Sequence, residues 1–246
     1  AHLRIRHLLV ESLVRAGRFE DALANAKGNE LPFWRGLAHA QLGRLSEAET
    51  LLMQCATDTG HAEKEEAILT LSATLNQLAG ANRAGEFLAG EINKPGNENL
   101  SPRPRLALVE LHLEQGKYQA ALKTLKGFHA NDATSTMIRA SANLLEARTL
   151  IALKQFDVAK DKLRTILAQQ KLIVPSFINY ASLLLADVSI ATAVPDDAVI
   201  ILTGVIENAP SGCNVLPAFD RLSDAVPSVR PRAVVARALP AASREG

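Results

Sequence analysis

A short turn motif recurs along the chain and constrains its fold more than any other feature. It is present as "RAGRFEDALANA", "QLGRLSEAETLL", "EQGKYQAALKTL" and "ALKQFDVAKDKL", with weaker copies in "LAGANRAGEFL" and "TAVPDDAVIIL". In the stronger copies a small or polar residue precedes a large apolar residue by two positions, and an alanine follows three positions later. The alanines of the six copies are separated by 26 residues and then by 36 to 39 residues: Ala22, Ala48, Ala84, Ala121, Ala159 and Ala198.

A repeat of this length, made of a turn between two amphipathic segments, is typical of stacked helical hairpins. Gly17, Gly43 and Gly116 occupy the position where a left-handed residue closes a helix. The large apolar residue after the turn fills the space between the two helices, and the alanine lets their backbones approach closely. Aromatic residues make up only 4% of the chain, which favours close-packed helices over β-sheets. The sequence therefore predicts an all-α protein of about six helix-turn-helix repeats.

The array resembles the tetratricopeptide repeat family, whose unit consists of two antiparallel helices. Residues 102–133 match its motif through Leu108, Gly116, Tyr118, Ala121 and Leu125. Residues 179–210 match through Leu185, Ala186, Ala198, Leu202, Val205 and Pro210. The resemblance covers about residues 3–210 and implies a right-handed superhelical solenoid. The spacings depart from the usual unit of about 34 residues and the third unit, residues 62–92, is degenerate, so a looser repeat class such as the Sel1-like repeats is the alternative.

Proline-rich stretches predict the limits of the array. The stretch "NKPGNENLSPRP" concentrates Pro, Gly, Asn and Ser and predicts a loop over residues 95–104, between repeats 1–3 in residues 1–94 and repeats 4–6 in residues 105–210. Residues 211–246 carry four prolines and five arginines and predict a partly disordered tail or linker with one short helix near residues 218–225. Because the chain begins inside a helical pattern without an initiating Met, we expect a piece of a longer protein.

Charge and hydropathy argue against several classes of partner. The net charge is +1, from 27 basic and 26 acidic residues, so the chain lacks the positive field with which proteins attract nucleic acid. It has no apolar run of about 18 residues with which to span a bilayer. Cys55 and Cys213 form no CxxC pair. The sequence predicts a soluble protein without membrane insertion and does not select between cytoplasm and periplasm.

The sequence contains no motif that predicts catalysis. Phosphate-binding glycine loops and the HExxH metal motif are absent. His39 and His112 share one first-helix position and are predicted to pack, and Cys55 is predicted to be a buried thiol. The acidic run over residues 61–67 is interpreted as the solvated first turn of a helix rather than a cation site. We therefore predict no cofactor, no metal ion and no enzyme activity.

The family resemblance implies a partner-binding concave face made by successive first helices. On the family's register the candidate residues are His7, Glu11, Phe33, Trp34, Leu37, Leu106, Glu110, Leu144, Arg148, Leu183 and Asp187. Phe33 and Trp34 are candidate anchors because aromatic residues dominate interface energetics, although Trp34 is equally suited to fasten the second repeat to the first. Some family members grip a terminal carboxylate with Lys and Asn, and this set is missing here. The expected recognition is therefore mainly apolar.

The main hypothesis is a non-catalytic scaffold that binds a partner protein or peptide, and the resemblance favours a bacterial regulatory or envelope-assembly role. The alternative is a helical accessory or oligomerisation domain of a larger protein, such as an enzyme or an envelope-assembly factor, whose active module lies outside this chain. A third hypothesis is self-association through an unpaired terminal repeat, because the apolar ends of a solenoid need caps.

Overall fold

The computed structural model describes residues 2–26, 31–58, 60–97, 99–126, 135–208 and 215–225. Within these ranges the chain forms thirteen α-helices and no strand, which confirms the predicted all-α repeat fold. The chain divides into two compact units, unit 1 (Ala1–His129) and unit 2 (Ala130–Gly246).

Unit 1 contains four helical hairpins, each made of a first helix and a second helix that pack against each other. The helices are α1 (His2–Arg15), α2 (Phe19–Asn25), α3 (Pro32–Gln41), α4 (Leu45–Thr57), α5 (Lys64–Ala79), α6 (Ala81–Ile92), α7 (Arg103–Glu114) and α8 (Tyr118–Lys126). Consecutive first helices also contact each other, from α1 to α3, from α3 to α5 and from α5 to α7. The first helices of unit 1 therefore share one face.

Unit 2 contains two hairpins followed by one more helix. The helices are α9 (Thr136–Ala152), α10 (Phe156–Leu167), α11 (Pro175–Ala191), α12 (Pro195–Glu207) and α13 (Leu216–Ala225), with a 3-10 helix at Gln170–Leu172. Pro175 and Pro195 occupy the first turns of α11 and α12, where the missing proline N–H has no helical partner to lose.

The repeated turn has the same backbone conformation in five hairpins. Gly17, Gly43 and Gly116 have φ of 74°, 72° and 68°, as the motif predicted. Lys154 and Ala193 take the equivalent position in unit 2 with φ of 59° and 56°. The N–H groups of the left-handed residue and its successor bond back to the end of the first helix, as in Gly17 to Val14 and Arg18 to Leu13. This Schellman arrangement satisfies carbonyl groups that the end of a helix leaves without partners.

Replacing Lys154 or Ala193 with glycine is expected to stabilise unit 2 by about 0.5–1 kcal/mol each. A left-handed conformation costs a residue with a Cβ atom about 1–2 kcal/mol, and the greater freedom of glycine in the unfolded chain offsets part of that gain. Gly17→Ala should have the opposite sign, and since no atom lies within 4 Å of its new Cβ the effect is purely one of backbone conformation. Urea denaturation monitored by circular dichroism measures all three variants, and an unchanged midpoint for Gly17→Ala would contradict the prediction.

The repeat alanines are buried in the hairpins. All six are at most 1% exposed: Ala22, Ala48, Ala84, Ala121, Ala159 and Ala198. In unit 1 one apolar core extends from α1 to α7 and includes Val10, Leu52, Leu71, Leu88 and Leu111. Since Leu88 and Leu111 belong to the same core, the loop between α6 and α7 lies inside unit 1, and it does not divide the array as the sequence suggested.

A buried polar network holds this loop in place. The Lys64 ammonium donates a hydrogen bond to Asn97 Oδ1 (2.5 Å), and Asn97 Nδ2 donates to the main-chain and carboxylate oxygens of Glu91 (2.9 Å each). Lys64, Asn97 and Glu91 are all buried. Because each charged or amide group has a partner, this polar cluster is accommodated inside the hairpin stack.

The acidic run at the start of α5 also binds this loop. Glu65 accepts hydrogen bonds from the main-chain N–H of Ser101 (2.8 Å) and from its hydroxyl (2.5 Å), while Glu66 forms an ion pair with Arg103. The run does form the first turn of a helix, as predicted, but the Glu65 carboxylate is partly buried and hydrogen-bonded rather than solvated. The main-chain N–H of Ser101 needs an acceptor, and Glu65 in the first turn of α5 supplies it.

Helix α13 continues the array beyond Pro210, although the sequence predicted that the repeats end there. It packs against α11 and α12 in the way that α7 packs against α5 and α6. Ala218 and Leu222 pack in the same core cluster as residues of α12. Arg221 forms a bidentate ion pair with Asp187 on α11 (2.6 and 3.1 Å). The rest of the predicted tail, which includes Cys213, lies outside the described residues, as does the polar linker at 127–134.

Candidate functional site

The structure buries the large apolar side chains that the sequence assigned to the groove. Phe33 is 4% exposed, Trp34 8%, Leu106 8% and Leu144 6%. The rings of Phe33 and Trp34 meet edge to face with their centroids 5.0 Å apart. These side chains pack against neighbouring helices, so they belong to the core and offer a partner little surface.

Trp34 fastens the second hairpin to the first, which is the alternative that the sequence left open. Its indole N–H donates a hydrogen bond to His7 Nε2 over 2.9 Å. Glu63, at the start of α5, lies 3.9 Å from the same nitrogen and 3.2 Å from His61 Nδ1. His7 therefore contributes to the packing interface among α1, α3 and the start of α5.

The remaining groove candidates are more accessible, but several have partners within the protein. Glu11 pairs with Arg15 one turn later (2.7 Å), and Asp187 pairs with Arg221. Leu37, Arg148 and Leu183 are partly buried, whereas Glu110 is exposed. Of the candidates, Glu110 lines a depression that the structure shows in unit 1.

Two adjoining depressions lie on the face shared by α3, α5 and α7. The first, of about 280 Å³, lies between α3 and α5 and is lined by Ala40, Gln41, Gly43, Thr70, Ala73, Thr74 and Gln77. The second, of about 160 Å³, lies between α5 and α7 and is lined by Leu69, Ser72, Ala73, Asn76, Ala107, Glu110, Leu111 and Glu114. Ala73 lines both depressions, so together they form one surface, which we call the first-helix face.

The first-helix face is lined by small side chains and by side-chain amides. The small residues include Ala73 and Ala107, whose side chains leave the helix surfaces accessible. Gln41 and Gln77 line the first depression and Asn76 lines the second. A side-chain amide carries both a donor and an acceptor, as a peptide bond does. This arrangement suits the main chain of an extended polypeptide.

Helix α5 supplies the middle of this face and was missed by the sequence reasoning. Leu69, Ala73, Asn76 and Gln77 all come from the degenerate third repeat, which contributed no candidate. The signal that fixes their register is Ala84, the buried alanine of that repeat. The face mixes polar and apolar side chains, and the expectation of mainly apolar recognition stays a prediction.

His39 and His112 occupy one position in two first helices, and both pack into the hairpin interior. Their Nδ1 atoms are buried and have no hydrogen-bond partner among the described residues. Burial is the main cause that lowers the pKa of each imidazole from its ordinary value of 6.5.

Cys55 is fully buried, as predicted, and burial raises the pKa of its thiol to about 11.

The free energy of unfolding is expected to fall as the pH is lowered through about 6.5. Both histidines bind a proton more weakly in the folded chain than in the unfolded chain, so acid favours unfolding. The stabilisation is complete above the unfolded pKa and is lost below it. A His39→Phe, His112→Phe double variant should show a smaller loss between pH 7.5 and 5 in urea denaturation. Equal pH dependence in the two proteins would refute the assignment.

The described residues show no membrane span and no metal centre. None of the described helices is long and apolar enough to cross a bilayer. In the same part of the chain, no group of three or more His, Cys, Asp or Glu side chains could hold a metal ion.

Helix α1 exposes Ile5, Leu8 and Leu9, with 65%, 56% and 45% of their surfaces accessible. Self-association through this helix stays a prediction.

Comparison with known proteins identifies the repeat. The family model described as "Tetratricopeptide repeat" matches residues 3–24 and 33–53, which cover most of α1 to α4. No curated protein sequence matches the chain.

Solved structures share the fold at low sequence identity. Cut9–Hcn1, a hetero-tetramer of the APC/C, aligns with 96% of this chain at 12% identity and a TM-score of 0.56, and this chain covers 46% of it. A thermophilic TPR protein of Thermus thermophilus aligns with 81% of this chain at 21% identity, with 99% of its own length covered and a TM-score of 0.49. An assembly chaperone of RpL4 aligns with 96% at 13% identity, with 99% of its length covered and a TM-score of 0.48. The matched segments show that α1 to α4 are similar to tetratricopeptide repeats, and the repeated Schellman hairpins and the shared fold show that the described residues form a helical repeat protein of this kind.

Proposed function

We propose that this chain is a non-catalytic scaffold and that its first-helix face binds a segment of a partner protein in an extended conformation. The observation that carries the proposal is the pair of adjoining depressions that meet at Ala73. A surface that is continuous over three helices can contact several consecutive residues of a bound chain. Repeat proteins use such surfaces for peptide recognition.

The chemistry of the face favours recognition of the main chain. Gln41 and Gln77 border the first depression and Asn76 borders the second, so amide groups occur along the whole surface. Each can donate to a peptide carbonyl and accept from a peptide N–H. Ala73 is exposed, and its methyl group leaves room for the bound chain to approach α5.

An Ala73→Arg variant is expected to lose peptide binding because the long side chain obstructs the point where the two depressions meet. The ligand source is a random octapeptide display library, selected on the whole 246-residue chain. Selected peptides are synthesised and their Kd values are measured by fluorescence anisotropy. We expect Ala73→Arg to weaken binding by at least about tenfold, which corresponds to about 1.4 kcal/mol.

The matched control is Ala24→Arg, which places the same side chain at an exposed position of α2, away from the first-helix face. It should leave the Kd within about twofold, and circular dichroism should show equal helix content in all three proteins. Failure to select any peptide, or equal weakening by both variants, would overturn the proposed function.

A further inference from the structure

We propose that α1 makes this protein a dimer by packing against α1 of a second copy of the chain in antiparallel orientation. This inference does not depend on the proposed function, because the first-helix face lies on α3, α5 and α7. Three observations support it: an exposed apolar stripe on α1, the burial of the equivalent stripe in a later repeat, and charges that match when two copies of the helix are antiparallel.

The exposed stripe of α1 consists of Ile5, Leu8 and Leu9, and Ser12 extends it by one turn. These residues are three or four positions apart, so they share one side of the helix. The Ser12 hydroxyl donates a hydrogen bond to the main-chain oxygen of Leu8 over 2.7 Å. Its donor is therefore already satisfied, and the stripe can be covered without burying an unpaired hydroxyl.

Helix α11 shows what the same stripe does in a later repeat. Counted from the left-handed turn residues, Gly17 after α1 and Ala193 after α11, the stripe corresponds to Ala181, Leu184 and Leu185. Ala181 and Leu185 are 0% and 7% exposed and share a core cluster with residues of α10, the second helix of the preceding hairpin, and Leu184 packs against this cluster. The stripe is therefore a helix-packing surface, and no described helix buries it in α1.

The charges beside the stripe favour an antiparallel second copy. If Ile5 and Leu8 take the a and d positions of a heptad, Arg4 and Glu11 take successive g positions on one side of it. In an antiparallel pair whose two-fold axis passes between Leu8 and Leu9, Arg4 of one copy lies about 3 Å along the helix axis from Glu11 of the other. The symmetry forms this contact twice. In a parallel pair Arg4 would lie beside Leu9 instead.

Both charged groups are available for this contact. Arg4 is exposed and forms no ion pair with a residue that the structure describes. Glu11 binds Arg15 through Oε1 over 2.7 Å, which leaves its second carboxylate oxygen for another guanidinium group. An apolar stripe whose flanking charges meet groups of opposite sign after a two-fold rotation is self-complementary. The pattern therefore favours a second copy of this chain as the occupant of the stripe.

Sedimentation velocity on the whole chain measures the dimer. The stripe covers only about two helical turns, so we expect a weak dimer that dissociates on dilution over about a hundredfold range of concentration. Leu8→Asp should weaken dimerisation by at least about tenfold, because it places a charge in the apolar stripe. The matched control is Ile200→Asp, which changes an aliphatic side chain that is 71% exposed on α12. It should leave the dimer Kd within about twofold.

An exchange of charges tests the antiparallel orientation. Arg4→Glu brings two carboxylates together across the dimer and Glu11→Lys brings two cations together, so each variant alone should weaken dimerisation by at least about threefold. A mixture of the two variants regains both contacts between opposite charges, and its heterodimer should be about as stable as the natural dimer. A parallel pair would show no recovery, because it keeps these positions apart.

Circular dichroism should show equal helix content in all variants, so that a lost dimer is not mistaken for a lost fold. Leu8→Asp should leave the Kd of a selected peptide within about twofold, which separates this inference from the proposed function. A chain that stays monomeric over the whole concentration range would overturn the inference. A dimer that is insensitive to Leu8→Asp, equal weakening by Ile200→Asp, or a mixture without recovery would also overturn it.

Discussion

Phe33→Ala is expected to lower the free energy of unfolding by about 3–5 kcal/mol. Phe33 is 4% exposed and its ring packs edge to face against Trp34, so truncation leaves a cavity and removes an aromatic contact. Urea denaturation can be followed through Trp34, which is the sole tryptophan of the chain. A loss of this size would establish Phe33 as a core residue rather than a ligand anchor.

The control for Phe33→Ala is Ile5→Ala, which shortens an apolar side chain that is 65% exposed on α1. Its effect should stay within about 0.5 kcal/mol, because surface substitutions remove few contacts. A Phe33→Ala protein with unchanged stability and lost peptide binding would restore the original interpretation of Phe33 as part of the groove.

Alanine at two glycines should change stability in opposite directions. A Cβ at Gly36 would lie 2.8 Å from Leu52 Cγ and 3.3 Å from Leu51 Cβ, and Leu52 is fully buried. Gly36→Ala should therefore destabilise unit 1 by about 1–3 kcal/mol through overpacking between α3 and α4. Gly90→Ala on α6 meets no atom within 4 Å and should stabilise by up to about 1 kcal/mol through helix propensity.

The two glycine variants serve as controls for each other because the chemical change is the same. Chemical denaturation gives both values, and the difference between them isolates the packing of α3 against α4 from the backbone effect. A stabilising Gly36→Ala would show that Leu52 can move aside. The close packing of α3 against α4 would then not require glycine at this position.

Local features of the fold could be predicted from the sequence because they depend on neighbouring residues. Gly17 and its equivalents indicated where each first helix ends, and Ala22 and its equivalents indicated where the helices touch. A glycine at the left-handed position and an alanine at a helix contact can both be recognised from the sequence alone. The degenerate third repeat still kept its buried Ala84.

The candidate site was harder to predict because it depends on distant residues. An apolar residue at a first-helix position suits a core and a groove equally well, and only the neighbouring helices decide that Phe33 and Leu106 are buried. The partner of Lys64 is Asn97, 33 residues away, and no local pattern indicates such a pair. The first-helix face depends on the position of α5 between α3 and α7, which is a long-range feature of the fold.

The Lys64, Asn97 and Glu91 network has a consequence for how a ligand would be held. The network fastens α5 and α6 to the loop that leads into α7, and these hydrogen bonds form when unit 1 folds. The separation between α5 and α7 is then fixed before any partner arrives, so little conformational freedom remains to be lost on association. If a partner binds at the depression between these helices, as we propose, its affinity would depend partly on three side chains that it does not touch.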